Sequence, residues 1–298
     1  MAKGGLVHDF LLDLRGAERV YAQRCAIFRY AWNDRERTLS QRRDPITRAM
    51  LRGLFRRWRQ WDYIAARRTD RCIANSQVTQ ERLRAYFERD SRIFHPLVDT
   101  ARFAPGRAGN HYATVAELMP RKQIGVAIAA FNALGLPLVI VGDGPAARSL
   151  RREAGPTITF AGRVSDHQVT QVLSSSRALV LTPEEEFGIA AVESQAAGRP
   201  VIARRGGGAL ETVIDGVTVC FWSGGPDELA AAVQGFDDRA VDPQSCLRNA
   251  APFDVQSVRA GILDEIAAAD GGLQDGTDPA RPLGATRMMA VAAQGTRR

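Results

Sequence analysis

From residue 111 to residue 236 the chain repeats one pattern: three to five apolar residues, a polar turn, then a longer stretch with apolar positions every three or four residues. Runs that short, bounded by Pro and Gly, read as buried strands, and the longer stretches as amphipathic helices. The clearest unit is residues 178–203, ALVLTPEEEFGIAAVESQAAGRPVIA. Residues 178–181 predict a strand that Thr182-Pro183 ends. Residues 189–197 predict a helix that Gly198 closes in a left-handed conformation and Pro200 keeps from continuing, and residues 201–203 predict a second strand. Strand, loop, helix and strand close right-handed into a parallel pair. The crevice of such a pair lies beyond the strand C-termini, where Glu184, Glu185, Glu186, Phe187 and Gly188 fall.

The same alternation predicts strands at 112–116, 138–141, 157–161 and 217–221, and helices at 125–134, 167–174 (capped by Asp166), 226–233 and 255–268. Residues 124–141 carry no charge and have the length of a membrane span. Asn132, Gly135 and Pro137 break the run into a helix and a strand of a water-soluble sheet protein. Gly206-Gly207-Gly208 reads as a flexible turn. Nearer the start, residues 5–7 predict a strand, the loop 14–18 with Gly16 leads to a helix at 20–27, and residues 72–75 and 92–95 predict strands flanking a helix at 78–87 that Ser76 caps. Residues 45–71 form an arginine-rich helical stretch with Ile46, Met50, Leu54, Trp58 and Trp61 three and four apart, a stripe expected to pack into its own domain. Residues 96–109 are rich in Pro and Gly and place a domain boundary near Pro105. Residues 270–298 lack periodicity and predict a disordered tail.

These elements give an α/β chain with three segments: 1–105, 106–269 and the tail 270–298. Its 298 residues, 45% hydrophobic, suffice for a substantial core. Net charge is +7, which permits a nucleic acid, an anionic membrane surface or an anionic substrate as partner. Of the 40 basic residues all but Lys3 and Lys122 are arginine, so Lys122 stands out in its loop. The four cysteines, Cys25, Cys72, Cys220 and Cys246, have neither disulfide-framework nor zinc-site spacing. With the opening apolar stretch broken by His8, Asp9, Asp13 and Arg15, this predicts a cytoplasmic protein with no metal.

Two carboxylates concentrate the chemistry. Glu193 sits on or beside the apolar stripe of the 189–197 helix, where an unpaired charge is costly, so it needs a partner. Glu185 precedes that helix, whose first N–H groups, at Gly188, Ile189 and Ala190, face outward and suit an anion. Carboxylates in turn accept hydrogen bonds from sugar and ribose hydroxyls.

The spacing E-x7-E with F-G after the first acid, Glu185-Glu186-Phe187-Gly188-Ile189-Ala190-Ala191-Val192-Glu193, resembles the donor-site signature of family 4 glycosyltransferases, the group 1 enzymes of GT-B fold that include mannosyltransferases. The opening V-H-D-F-L with R-G-A-E around Gly16, and the strings I-A-N-S and H-P-L-V-D-T-A-R-F, resemble the same family. The resemblance implies a GT-B-like fold: a complete C-terminal Rossmann-like parallel-sheet domain and a truncated N-terminal Rossmann-like one. The gap falls after Phe28, where the family's further acceptor-side strands would stand and where Cys25 occupies the place of its active-site His. It implies transfer of a hexose, with mannose a candidate, from a nucleotide-diphosphate sugar such as GDP-mannose or a UDP-sugar. The acceptor would be a glycan or lipid-linked sugar, configuration would be retained, and no metal or other cofactor would be needed. Carried over, Glu185 contacts the transferred sugar, and Phe187, Gly188 and Ile189 bind sugar and phosphate through their backbone. Glu193 holds the ribose, Arg163 and Val164 seat the base, Gly16 approaches the donor and Lys122 neutralises the diphosphate. Where the family has an arginine five residues before that lysine, this chain has Glu117. Relatives acting on lipid-linked acceptors touch membranes through the region of the arginine helix, which leaves peripheral contact at the inner membrane face open.

Three other readings compete. A donor-binding relic without catalysis would explain the missing strands. The turn Gly142-Asp143-Gly144-Pro145-Ala146-Ala147 fits a relaxed G-x-G-x-x-A fingerprint and, with Asp166, an NAD(P)-dependent oxidoreductase. The arginine helix would suit nucleic acid, although no nucleic-acid module is recognisable and none is expected as partner.

Overall fold

The structure, a computed structural model, describes residues 31–32, 35–40, 42–67, 71–260 and 288–291. The expectations for residues 5–7, Gly16 and the helix at 20–27, and the comparison at Cys25, lie outside the described residues. The described chain forms two compact units, one of residues 31–95 with 288–291, the other of residues 96–260.

The second unit is a six-stranded parallel sheet. Its strands are β3 (Tyr112–Val115), β4 (Leu138–Val141), β5 (Ile158–Gly162), β6 (Leu179–Leu181), β7 (Val201–Arg204) and β8 (Val219–Trp222), in spatial order β5-β4-β3-β6-β7-β8. The helices between them are α4 (Ile124–Leu134), α5 (Ala147–Glu153), α6 (Asp166–Ser175), α7 (Ile189–Ala196), α8 (Ala209–Thr212) and α9 (Pro226–Gly235). Alternate strand residues feed two cores, one on each face. Leu179 and Leu181 pack with Leu173, Phe187 and Val192, while Ala178 and Val180 pack with Tyr112, Ile128 and Phe131. A sheet covered on both faces is why its strands read as unbroken apolar runs. The strand order reverses between β3 and β6, so the loops after these two strands border the crevice where ligands of such sheets sit.

Helix α10 (Pro243–Ala250) follows, with Asp242 accepting the N–H groups of Gln244 and Ser245. The sequence reading passed over this helix although the Asp-Pro start is a standard signal. Residues expected to link the domains instead belong to this unit. The Val98 N–H donates to the Phe253 carbonyl (3.1 Å), Val255 N–H to the Val98 carbonyl (3.2 Å), and the Thr100 hydroxyl to Asp254 (2.6 Å), so the division falls between His95 and Pro96 rather than near Pro105.

The first unit contains α1 (Arg35–Ser40), α2 (Pro45–Arg67), β1 (Arg71–Ala74), α3 (Gln77–Phe87) and β2 (Arg92–Ile93), with Ser76 capping α3 as expected. Both β2 and β9 (Met288–Val291) pair parallel with β1. Four residues of the stretch expected to be a disordered tail are therefore a strand. Helix α2 corrects the packing expected for its stripe. Phe55 is buried and Leu51 and Trp58 partly so, while Ile46 and Met50 are each 71% exposed and Leu54 and Trp61 lie open as well. The buried residues sit on the helix face next to the exposed stripe, offset by about a quarter turn. No helix among the described residues is long and apolar enough to cross a membrane, and residues 124–141 divide into α4 and β4.

Candidate functional site

The loop after β3 carries Glu117 and, in a single 3-10 turn (Pro120–Lys122), Arg121 and Lys122. It is pinned from the β4 side. Ala116 N–H donates to the Val141 carbonyl (3.0 Å), Leu118 N–H to Asp143 (2.9 Å), and Ala146 N–H back to Leu118 (2.8 Å). The glycines of the Gly142-x-Gly144 turn make this approach possible: a Cβ on Gly142 would lie 1.9 Å from the Ala116 carbonyl oxygen, and one on Gly144 2.6 Å from that of Leu118. That contact accounts for both glycines and removes the reason to read them as a dinucleotide fingerprint. Asp166 plays no part in one either. Ser165, in a capping box with Gln168, caps α6, and Asp166 faces Arg102 across 3.2 Å.

The loop after β6 carries Glu184, Glu185 and Glu186 and ends at Gly188, which starts α7 in a left-handed conformation (φ 89°) with no side-chain cap. Among the described residues no acceptor takes the N–H groups of Gly188, Ile189 or Ala190. The positive end of α7 is thus open. Gly206-Gly207-Gly208, expected as a flexible turn, braces this loop. Gly208 N–H donates to the Glu185 carbonyl (2.7 Å), and a Cβ on Gly207 or Gly208 would lie 2.2 Å from the Glu185 oxygen or 2.3 Å from the Phe187 Cα. Phe187 is buried edge-on against Phe253 (5.5 Å), so its ring belongs to the core rather than to the surface of the loop.

The two loops meet through charge. The Lys122 amine, 6% exposed, donates to Glu185 in an ion pair, and the Thr182 hydroxyl holds the Lys122 carbonyl at 2.7 Å. Sixty-three positions apart in the chain, the lysine and the carboxylate singled out from the sequence lie side by side at the reversal point of the sheet. Gln123, left-handed at φ 53°, accepts from Arg204 (2.7 Å), and Arg204 also lies 3.6 Å from Glu184. Glu117, in the place of the family's arginine, is 3.9 Å from Arg121, so part of its charge is already answered.

Glu193 is buried, and its partner is Arg102, whose guanidinium donates to Glu193 Oε1 at 2.5 Å. Arg102 also reaches Asp166, and so ties α7 to the start of α6, just after Arg163 and Val164. Val164 packs partly into the core and Arg163 is exposed. Arg102 and Arg204 escaped the sequence reading. For Arg102 the signal was the demand of Glu193 for a cation, which the string D-T-A-R-F could have met. Among the described residues no group of three or more His, Cys, Asp or Glu side chains is placed to hold a metal ion.

The second unit is a parallel doubly wound domain with a basic side chain, a carboxylate and an open helix N-terminus at its reversal point, and residues 109–236 match the family described as glycosyl transferases group 1. Over 238 aligned residues the chain is 29% identical to the D-inositol 3-phosphate glycosyltransferase of Mycobacterium leprae, covering 68% of this chain and 55% of that protein. It is 32% identical to the GDP-mannose-dependent alpha-(1-6)-phosphatidylinositol dimannoside mannosyltransferase of Mycobacterium tuberculosis, covering 60% of this chain and 50% of that one. The chain thus spans about half the length of the curated relatives it matches. Its fold is GT-B-like. It superposes on Anabaena HepE in complex with UDP-glucose with a TM-score of 0.62 at 20% identity, over 71% of this chain and 67% of that one. The sucrose-phosphate synthase of Thermosynechococcus elongatus gives 0.64 at 21% identity, over 77% and 63%.

Proposed function

We propose that this chain is a retaining hexosyltransferase that takes a hexose, with mannose the leading candidate, from GDP-mannose or a UDP-sugar to a glycan or lipid-linked acceptor. One observation carries the reading: the Lys122–Glu185 pair at the sheet reversal, three residues before the open N-terminus of α7. A nucleoside diphosphate entering there would draw the Lys122 amine from Glu185 and accept from Gly188, Ile189 and Ala190. The amine and the helix terminus would then offset the charge that grows on the departing diphosphate. Glu185, released, would accept from hydroxyls of the transferred sugar. Glu193, held by Arg102, would accept from the ribose, and the Arg163-Val164 backbone would face the base. The chain's likeness to GDP-mannose-dependent mannosyltransferases, and to a structural neighbour that holds UDP-glucose, supports the donor class.

The full chain incubated with radiolabelled GDP-mannose or UDP-glucose and extracted membrane lipids and glycans should yield a labelled product, and Lys122→Gln should abolish it. Donor binding with no product from any acceptor pool would favour the relic instead.

Peripheral contact with an anionic membrane rests on the exposed face of α2, where Ile46, Met50, Leu54 and Trp61 lie along a helix rich in arginine, the composition of an interfacial helix on anionic lipid. The chain should sediment with anionic but not neutral liposomes and be released by salt; failure to sediment at low salt rules this contact out.

A further inference from the structure

The turn that carries Lys122 is three residues long, Pro120–Lys122, a single 3-10 turn with little stiffness of its own. Two contacts from the β6–β7 side of the sheet reversal hold its end. Thr182 follows β6 and is fully buried at a place where valine would have the same shape. A buried hydroxyl needs a partner, and this one donates to the Lys122 carbonyl at 2.7 Å, 60 positions away in the chain. Gln123, the next residue, is left-handed (φ 53°, ψ 32°), a conformation that strains any residue with a Cβ and lasts only where neighbours enforce it. Its side-chain oxygen accepts from the guanidinium of Arg204, the last residue of β7, at 2.7 Å, and Arg204 lies over the buried Trp222 ring at 5.6 Å. Strands β6 and β7 are paired from Leu179 to Ala203, so both contacts spring from one hydrogen-bonded edge.

We propose that Thr182 and Gln123 are positioning residues that keep the main chain of Lys122 fixed while its amine passes from Glu185 to a diphosphate. This rests on the reading of Lys122 as the ligand of that diphosphate. Lysine is a compact charge on a flexible four-carbon stem. With its main chain anchored, exchanging one anion for another requires rotation of the stem alone, and the amine stays within reach of both. With an anchor cut, the turn must be ordered each time a diphosphate enters, which opposes binding. Neither Thr182 nor Gln123 is charged, so their effect falls on the contact Lys122 makes rather than on the field of the whole site.

A nucleoside diphosphate differs from its monophosphate by one phosphate, so the ratio of their affinities reports the diphosphate contact while base and ribose cancel. Calorimetric titrations with GDP and GMP, and in parallel with UDP and UMP, should be run on the full chain and on Thr182→Val, Thr182→Ser, Gln123→Met and Lys122→Gln, each shown folded by its melt. Thr182→Val and Gln123→Met should each lower the diphosphate:monophosphate ratio by roughly threefold to tenfold, the scale of one hydrogen bond, and move monophosphate affinity by less than about twofold. Thr182→Ser should keep the parent ratio, and Thr182→Val added to Lys122→Gln should change it no further. A ratio unchanged in Thr182→Val and Gln123→Met, or both nucleotides weakened in parallel as a purely structural role would give, overturns the proposal and leaves the reading of Lys122 standing. A parent that binds neither diphosphate better than its monophosphate overturns the reading of Lys122, and the proposal with it.

Discussion

Replacing Glu185 with glutamine should move binding and turnover in opposite directions. Lys122 is buried and its charge is answered by Glu185. At a contact distance of ~3 Å and an effective dielectric near 20, the attraction of such a pair is roughly 5 kcal/mol. Desolvation of the two ions takes back most of it, leaving a net coupling of about 1.5–3 kcal/mol, the range for charge-assisted hydrogen bonds. A nucleoside diphosphate must break that coupling to reach the amine. Glutamine still accepts a hydrogen bond but without the charge, so UDP or GDP should bind at least tenfold more tightly, a gain of about 1.4 kcal/mol. The same change leaves a buried ammonium without its counter-charge, so unfolding free energy should fall by about 1–3 kcal/mol. Sugar transfer should drop, since the acceptor of the sugar's hydroxyls is neutralised. Calorimetry with UDP and GDP, a melt of the unliganded protein and the product assay form one set. Unchanged or weaker diphosphate binding in Glu185→Gln would refute the displacement of Glu185 by the donor.

Three further outcomes follow from single contacts. Glu193→Gln should lower stability by about 1–3 kcal/mol and weaken nucleotide binding, because half-buried Arg102 loses the charged acceptor it meets in the interior, whereas Glu184→Gln, exposed and 3.6 Å from Arg204, should do neither; equal melts of the two would contradict the Arg102 assignment. Gly208→Ala forces a methyl toward the Phe187 Cα at 2.3 Å, so the 184–188 loop must shift and nucleotide affinity should fall with stability; an alanine variant that binds normally would show that the brace is dispensable. His95, partly buried with Nδ1 3.2 Å from the Asn75 carbonyl oxygen, has its pKa pushed below the ordinary 6.5 chiefly by burial. The unfolded chain therefore binds the proton more readily, and stability that is full above pH 6.5 should decline as pH falls below it. Melting at about pH 7.5 and pH 5 checks this, and a His95→Gln variant with the same pH slope as the parent would refute it.

What the sequence made legible was local. Apolar runs buried on both faces announced the parallel strands from Tyr112 to Trp222, and Gly198 with Pro200 marked the end of α7 to within one residue. The spacing of Glu185 and Glu193 drew attention to the loop and helix that border the sheet reversal. The missing information was the identity of neighbours distant in the chain. Arg102 is 91 positions from Glu193, Gly208 braces a loop some twenty residues earlier, and the Gly142 turn closes on Ala116, none of which leaves a periodic trace. The stripe on α2 failed for a different reason. A helix with arginines on several faces and apolar side chains on two offers two candidate buried faces, and only packing chooses Phe55 over Met50.

The central claim is that the diphosphate of a nucleotide-sugar sits at Lys122 and the N-terminus of α7. Titration of the full chain and of Lys122→Gln with GDP-mannose and UDP-glucose tests it most directly. The account predicts that the parent binds at least one of the two and that the variant binds it tenfold or more weakly, roughly the loss of one charge-assisted contact. Equal affinity in parent and variant, or no binding of either donor by the parent, would contradict it.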